Sequence, residues 1–179
     1  MIDGLPKTRG IYTQEQLMIN GKLNSIVWNL ARYLDDQGLR SIAIPSAAPY
    51  GDFFELMGII SHKHAAIEAG LGTWSVSQLL LTPEYGTRVR LASCLTEAEL
   101  EPDKKITKNL CKEAQSYCNF SCIKGCPVEG VLTYNSETGE GWIDKQKCSR
   151  HQEVVLVPPA REWSSLRCGL CVKNCPVGQ

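Results

Sequence analysis

Eight cysteines between positions 111 and 175 constrain this chain more than any other feature of its 179 residues. They fall as Cys111-x6-Cys118-x3-Cys122-x3-Cys126-Pro127, then Cys148 alone, then Cys168-x2-Cys171-x3-Cys175-Pro176. Such a run is compatible with a disulfide framework, a zinc site or iron–sulfur ligation. Disulfides suit small secreted chains with an even cysteine count. Here the count is nine, the cysteines crowd toward one end, and "MIDGLPKTRG" carries no signal-peptide core. Zinc favours paired C-x2-C units or added histidines. His151 lies three residues after Cys148, but nothing else in the pattern completes such a site.

Bacterial two-cluster ferredoxins use C-x2-C-x2-C-x3-C-P, and the fourth cysteine of that run binds the other cluster. Short spacers let successive thiolates reach different irons, and the proline ends the loop with a fixed φ. Applied here, the cross-over rule gives two sets of four. One is Cys111, Cys118, Cys122 and the distant Cys175. The other is Cys126, Cys148, Cys168 and Cys171. All the clustered cysteines are then used, and Cys94 remains as a free, buried strand cysteine. The expectation is two [4Fe–4S] clusters in a reducing, cytoplasmic compartment.

The first half has a different texture. Leu23, Ile26, Val27, Leu30, Ala31 and Leu34 fall on one helical face. Thr13 and Gly38 are the expected start and stop of that helix. "SIAIP" reads as a short strand ended by Pro45, with Ile42 and Ile44 on one side. Ser61 is a fitting N-cap for "HKHAAIEAG", with Gly70 just past its end. "SQLLLT" and "RVRLASCL" read as two strands joined across "PEYGT", with Gly86 at the turn. Arg88, Arg90 and Cys94 would share one face of the second strand. Residues 96–105 read as a polar linker. A helix over 107–118, a turn-rich "YNSETGEGW" and a helix over 144–155 carrying Cys148 follow. Pro158 and Pro159 break the chain, and the tryptophans are expected in the core and around the clusters.

The division expected is an α+β core over 1–105 and a two-cluster, bacterial-ferredoxin-like module over 106–179. Lys plus Arg and Asp plus Glu are 19 each, so charge gives no reason to expect nucleic acid. No apolar run approaches the roughly 18 residues of a membrane span.

Residues 61–103 carry "AGLG" (69–72), "LTPEYGTRVRL" (81–91) and "LEPD" (100–103). In this order, and followed by the Cys-Pro groups and the lone Cys148, they resemble the epoxyqueuosine reductases and reductive dehalogenases. The resemblance spans about residues 41–176 and marks the chain as a shortened, divergent member. It implies a truncated nitroreductase-like α+β core beside two [4Fe–4S] clusters, and a corrinoid (cobalamin) fed by them. At the position where the resemblance expects a proton-donating Asp stands Leu56, with Asp52 and Glu55 out of register.

Three functions follow. The first is an oxidoreductase or electron-transfer component that relays low-potential electrons to a redox partner protein or small-molecule substrate. The second is a corrinoid-dependent reductase, with His62, His64, Tyr85 and Arg88 as the cofactor-pocket candidates. The third is a non-catalytic interaction or sensor domain stapled by its clusters. For His62 and His64 the plainer reading is exposed or capping histidines, and for Arg88 a solvated strand charge. A homodimer is the expected assembly.

Overall fold

A computed structural model describes residues 2–47, 56–157 and 166–178. The fold mixes helices with three separate two-stranded antiparallel sheets. A 28-residue helix, α1 (Arg9–Asp36), opens it. Tyr12, Thr13, Asn20, Val27 and Ala31 form its buried face. The helix begins before Thr13, so that residue caps nothing. Its hydroxyl donates to Arg9 O, one turn back, at 2.9 Å. Thr and Ser hydroxyls serve either role, which is why sequence alone misplaced it. Gly38 does lie past the helix end, at φ +81°. Of the expected core stripe, Val27 and Ala31 are buried, whereas Ile26 and Leu30 join Ile19 and Tyr33 in exposure.

Strand β1 (Ser41–Ile44) pairs with β4 (Ser93–Thr96), Ser41 opposite Thr96 and Ala43 opposite Cys94. Ser41 Oγ donates to Thr96 Oγ1 at 2.8 Å, and the Arg40–Glu97 ion pair closes the end of the ladder. Ser41 is buried and Ile42 exposed, so the strand presents its polar-numbered side to α1. Between these strands come α2 (His62–Glu68), β2 (Thr73–Trp74) and β3 (Leu80–Leu81). Ser61 Oγ accepts from His64 N–H, as expected of an N-cap.

The expected hairpin across "PEYGT" does not form. β3 pairs back onto β2, and β4 pairs across to β1. Only the Thr82–Gly86 bridge survives of the turn. Two contacts explain this. Gly72 lets β2 approach so closely that a Cβ there would lie 2.3 Å from Leu81 O. Arg90 is drawn to Asn20 Oδ1 at 3.0 Å, which lifts the intervening residues off any shared ladder.

Residues 97–107 are irregular and mostly exposed, as a polar linker should be. Helix α3 (Leu110–Cys118) is capped by Asn109, whose Oδ1 accepts from Lys112 N–H at 2.9 Å. Asn119 and Phe120 then take left-handed φ values of +45° and +54°, and α4 (Ser121–Lys124) follows. The turn-rich "YNSETGEGW" is a true hairpin, β5 (Leu132–Asn135) against β6 (Glu140–Ile143). Asn135 Oδ1 accepts two amides of the connecting turn, so polar turn chemistry hid two short strands. Helix α5 (Lys145–Arg150), capped by Asp144, runs into a π-helical turn over His151–Val155. Helix α6 (Leu170–Lys173) is the last element. Pro158, Pro159 and Trp163 lie outside the described residues. Trp28 and Trp142 are 56% and 59% exposed, so neither is core.

The apolar centre sits among the cysteines. Val76, Cys122, Val131 and Leu132 form it, and Cys111, Cys126, Cys148 and Cys171 pack on it with Phe120 and Tyr134. The β5–β6 hairpin docks there through Gly141. A Cβ at that position would lie 2.1 Å from Val76 O, a backbone atom that cannot step aside. Gly141→Ala should therefore cost about 1–3 kcal/mol, the usual range for an overpacked site. Thermal unfolding checks this, and an unchanged midpoint would show that the hairpin does not need that approach.

Candidate metal centre

Two short segments present most of the cysteines, and they are built alike. Phe120 at left-handed φ, helix α4 with Cys122, then Gly125-Cys126-Pro127 form the first. Gly169 at φ +67°, helix α6 with Cys171, then Asn174-Cys175-Pro176 form the second. The first has one more residue between its leading cysteines. Consecutive left-handed residues, Asn119 and Phe120, absorb it where the second segment needs only Gly169. The segments meet face to face. Ser121 Oγ donates to Asn174 O at 2.6 Å, and a Cβ on Gly125 would lie 1.8 Å from Asn174 Nδ2.

The thiols then group by the charges they feel. Burial pushes the Cys111 thiol above its usual range, opposed by the Val76 N–H that donates to its Sγ at 3.4 Å. Its charged neighbours are Cys118 and Cys175. Burial carries Cys122 up to about 11, with Cys111, Cys118 and Cys175 adding to the rise. Burial also raises Cys148, beside Cys126 and Cys168, while Gln152 Nε2, 3.5 Å from its Sγ, pulls it back down. Cys171 is pushed up to about 12 by burial first, then by Cys148, Cys168 and Cys122. Cys111, Cys118, Cys122 and Cys175 thus share one neighbourhood. Cys126, Cys148, Cys168 and Cys171 share the next, and Cys122 adjoins both. Among the described residues, no three His, Cys, Asp or Glu side chains converge as a single metal ion requires. Cys94 stands apart on β4, half-buried, its Sγ near Leu95 O.

The four pocket candidates are dispersed. His62 donates from Nε2 to Pro45 O at 2.9 Å and meets Ser93 Oγ through Nδ1 at 2.7 Å, which ties α2 to the β1–β4 sheet. His64 packs edge-on against Trp74 and bonds Ser61 Oγ. It lines a cavity of about 390 Å³ whose wall includes Cys111, Gln78, Lys112 and Gln115. Tyr85 is exposed. Arg88 turns away to backbone carbonyls of the 173–177 segment. Leu56 has a left-handed φ of +52°, and Asp52 and Glu55 lie outside the described residues. His151 keeps a buried Nε2 without a partner among the described residues, and burial with nearby Arg9 lowers its pKa.

Several residues around the thiols escaped the sequence reading. Gln152 could have been found, since it follows Cys148 by one helical turn. Ser121 and Asn174 emerge only when the two Cys-Pro segments are superposed. Val76 acts through its backbone and has no side-chain signal.

Comparison with known proteins gives this arrangement a lineage. No family model matches the chain. The epoxyqueuosine reductase of Listeria monocytogenes is 35% identical over 91 residues, 51% of this chain and 21% of that protein. The tetrachloroethene reductive dehalogenase of Sulfurospirillum multivorans is 33% identical over 117 residues, 62% of this chain and 22% of that one. The chain is a divergent relative of epoxyqueuosine reductases and reductive dehalogenases. It spans about a fifth of the length of these curated relatives. A crystal structure of epoxyqueuosine reductase shares its fold, with a TM-score of 0.59 at 21% identity, over 89% of this chain and 39% of the other. A second crystal structure, TM-score 0.59 at 22% identity and the same coverage, holds an epoxyqueuosine-modified tRNA stem loop. That stem loop is a ligand of that protein; the expectation of no nucleic acid for this chain rested on charge balance alone. No described helix is long and apolar enough to cross a membrane.

The Ser75–Gln78 turn, which aims Val76 N–H at Cys111, is held by Lys63. Its Nζ donates to Gln78 O at 2.8 Å and sits over the Trp74 ring. Burial, with Lys145 nearby, depresses its pKa below the usual lysine value. The unfolded chain therefore binds more protons than the folded one between the depressed and the usual values. Stability from this group is full above the usual value and is lost as pH falls through the folded one. Lys63→Met should flatten that dependence, read as the difference between variant and wild-type denaturant midpoints across mildly to strongly alkaline pH. Parallel curves would mean the ammonium is not desolvated.

Proposed function

We propose that this chain is an iron–sulfur redox module that holds two [4Fe–4S] clusters and relays electrons as a reductase or a reductase component. Homology to two families of reductases supports a reductase-type function. The observation that carries the finer reading is the exchange of cysteines between segments. Cys175 belongs electrostatically with Cys111, Cys118 and Cys122, and Cys126 with Cys148 and Cys168. A cross-over of this kind is how two-cluster ferredoxins are wired.

The residues fit such clusters. Cys111, Cys118, Cys122 and Cys175 would hold one, and Cys126, Cys148, Cys168 and Cys171 the other. Bound clusters supply one-electron carriers whose potentials follow net charge, hydrogen bonds to sulfur and burial. The chain provides each of these. Val76 N–H and the Gln152 amide point at Cys111 and Cys148, and the apolar centre buries Cys122 and partly covers Cys111, Cys126, Cys148 and Cys171. The half-buried Cys111 opens onto the cavity beside His64, so a small-molecule acceptor would come nearest the first set there. That cavity, at about 390 Å³, is at the small end of ligand pockets, and His62, Tyr85 and Arg88 do not line it. We therefore assign no corrinoid to it. In this reading residues 106–179 are a ferredoxin-like module, and residues 1–105 are the α+β unit against which it is built, related to the nitroreductase-type core of the resembling families.

Anaerobic purification followed by iron and acid-labile sulfide determination tests the reading. About eight irons per chain are expected for two four-iron clusters, with EPR of the reduced protein showing two interacting centres. Stoichiometric zinc, or about four irons, would overturn it. Cys126→Ser should damage first the cluster shared with Cys148, Cys168 and Cys171; selective loss of the other would reverse the assignment. Tight cobalamin binding by the reduced protein would replace the relay with a corrinoid-dependent reductase.

A further inference from the structure

The two Cys-Pro segments differ in how their carbonyls are satisfied. After Cys126, the chain closes on itself: Val128 O accepts from Val131 N–H and from the Cys126 thiol, both at 3.4 Å. The matching residue after Cys175 is Val177, and its carbonyl is met from elsewhere. Arg88 Nη1 donates to Val177 O at 3.4 Å, and Nη2 to Lys173 O at 3.1 Å and Cys175 O at 3.2 Å. Thr87 Oγ1 adds a bond to Val172 O at 3.4 Å. Four carbonyls that bracket Cys175 are thus held by two consecutive side chains more than 80 residues earlier in the chain.

The turn that carries them is itself rigid and fitted. Thr82 and Gly86 exchange backbone bonds at 2.9 and 3.0 Å, and Arg88 N–H donates to Tyr85 O at 2.9 Å. Gly86, at φ +56°, has Val177 O where a Cβ would stand, only 1.9 Å away. Gly178 in turn lies against the backbone of Glu84, Tyr85 and Gly86. A planar guanidinium can serve several carbonyls at once, and a lysine ammonium in its place could not keep the same fork.

We propose that the 82–88 turn is a clasp for Cys175, with Arg88 the positioning residue that holds this cysteine where the first thiol set needs it. This deepens the two-cluster reading and rests on it. The set completed by Cys175 forms only when the first half of the chain has docked onto the 172–178 segment. Two of the carbonyls, Cys175 O and Val177 O, lie at the ligand of the first set, whereas Val172 O and Lys173 O end the helix that carries Cys171, so the clasp bears most directly on the first set and only through α6 on the second. The guanidinium also places a fixed positive charge at the Cys175 carbonyl, which favours the reduced form of the cluster that Cys175 would complete.

The test uses the full chain, purified anaerobically, as wild type, Arg88→Gln and Arg88→Lys. Wild type should hold about eight irons. Arg88→Gln should fall to about four, with the EPR of an isolated reduced cluster in place of an interacting pair. Arg88→Lys should recover iron content above Arg88→Gln while shifting the potential of one cluster only. Hydrogen exchange over residues 171–178 gives a readout independent of iron, and Arg88→Gln should speed it at least tenfold while leaving residues 131–143 unchanged. Equal loss of both clusters, faster exchange throughout, or two unaltered clusters in Arg88→Gln would each overturn the clasp while leaving the two-cluster reading standing. Wild type without eight irons would remove that reading and the clasp together.

Discussion

The close meeting of the two Cys-Pro segments is the constraint on which the rest of the structure depends. Ser121 bonds the Asn174 carbonyl, and the missing side chain at Gly125 is the space into which the Asn174 amide fits. That contact joins residues more than 50 positions apart and places the cysteines of each segment within reach of the other's partners. Unpaired thiols in an apolar centre resist ionising, as the raised pKa values of Cys122 and Cys171 show. Burial of that kind suits a site whose thiolates are stabilised by metal rather than by water. This apolar centre holds Cys122 among Val76, Val131 and Leu132 with four more cysteines packed on it, so packing and thiol chemistry meet in the same residues.

Among the described residues, the first half of the chain reaches this centre from the start of α1, from the turn at 82–88 and from the Ser75–Gln78 turn. The start of α1 holds the 167–173 segment: Thr13 Oγ1 accepts from Arg167 N–H at 2.9 Å, Lys173 Nζ donates to Leu5 O at 2.7 Å, and Gly169 nests against Tyr12. The turn at 82–88 holds the carbonyls around Cys175. The Ser75–Gln78 turn meets Cys111 through Val76 N–H and the β5–β6 hairpin through Gln78, whose amide donates to Gly141 O at 2.6 Å. Each contact reaches a cysteine-bearing segment. The boundary near residue 105 therefore divides the chain in composition and texture, while these hydrogen bonds run across it.

How far the sequence was legible follows from the kind of signal each feature carries. The two cysteine sets are an expectation from spacing, since ligand loops follow short-range rules, and they remain the proposal made above. Ser61, Gly70 and Gly38 were legible as helix ends for the same reason. Strand pairing was not. "SQLLLT" and "RVRLASCL" have strand composition, but whether they pair with each other depends on Gly72 and Arg90, whose partners are distant in sequence. Thr13 was misread because a hydroxyl near a helix start can cap it or bond the preceding turn. The hairpin at 132–143 was hidden by its own turn residues. Tryptophan was a poor guide to the core, since Trp28 lies under the Arg32 guanidinium on an exposed helix face.

Arg88 shows why a site residue can be found for the wrong reason. Its place in "LTPEYGTRVRL" marked it for a role, and the resemblance suggested a pocket. The side chain is committed instead to three carbonyls of the 173–177 segment, a distribution that no local pattern could disclose. Gly86 already favours glycine through its φ of +56°. It is required a second time because the turn presses against Val177, and the arginine two residues on spans the loop from there. Glycine and arginine are thus two parts of one contact. The same logic separates the two pseudo-equivalent loops: one satisfies its carbonyls from the chain that follows, and the other borrows donors from the first half. The borrowed donors thus add to the Val76 N–H on Cys111 and the Gln152 amide on Cys148 as differences between the two sets.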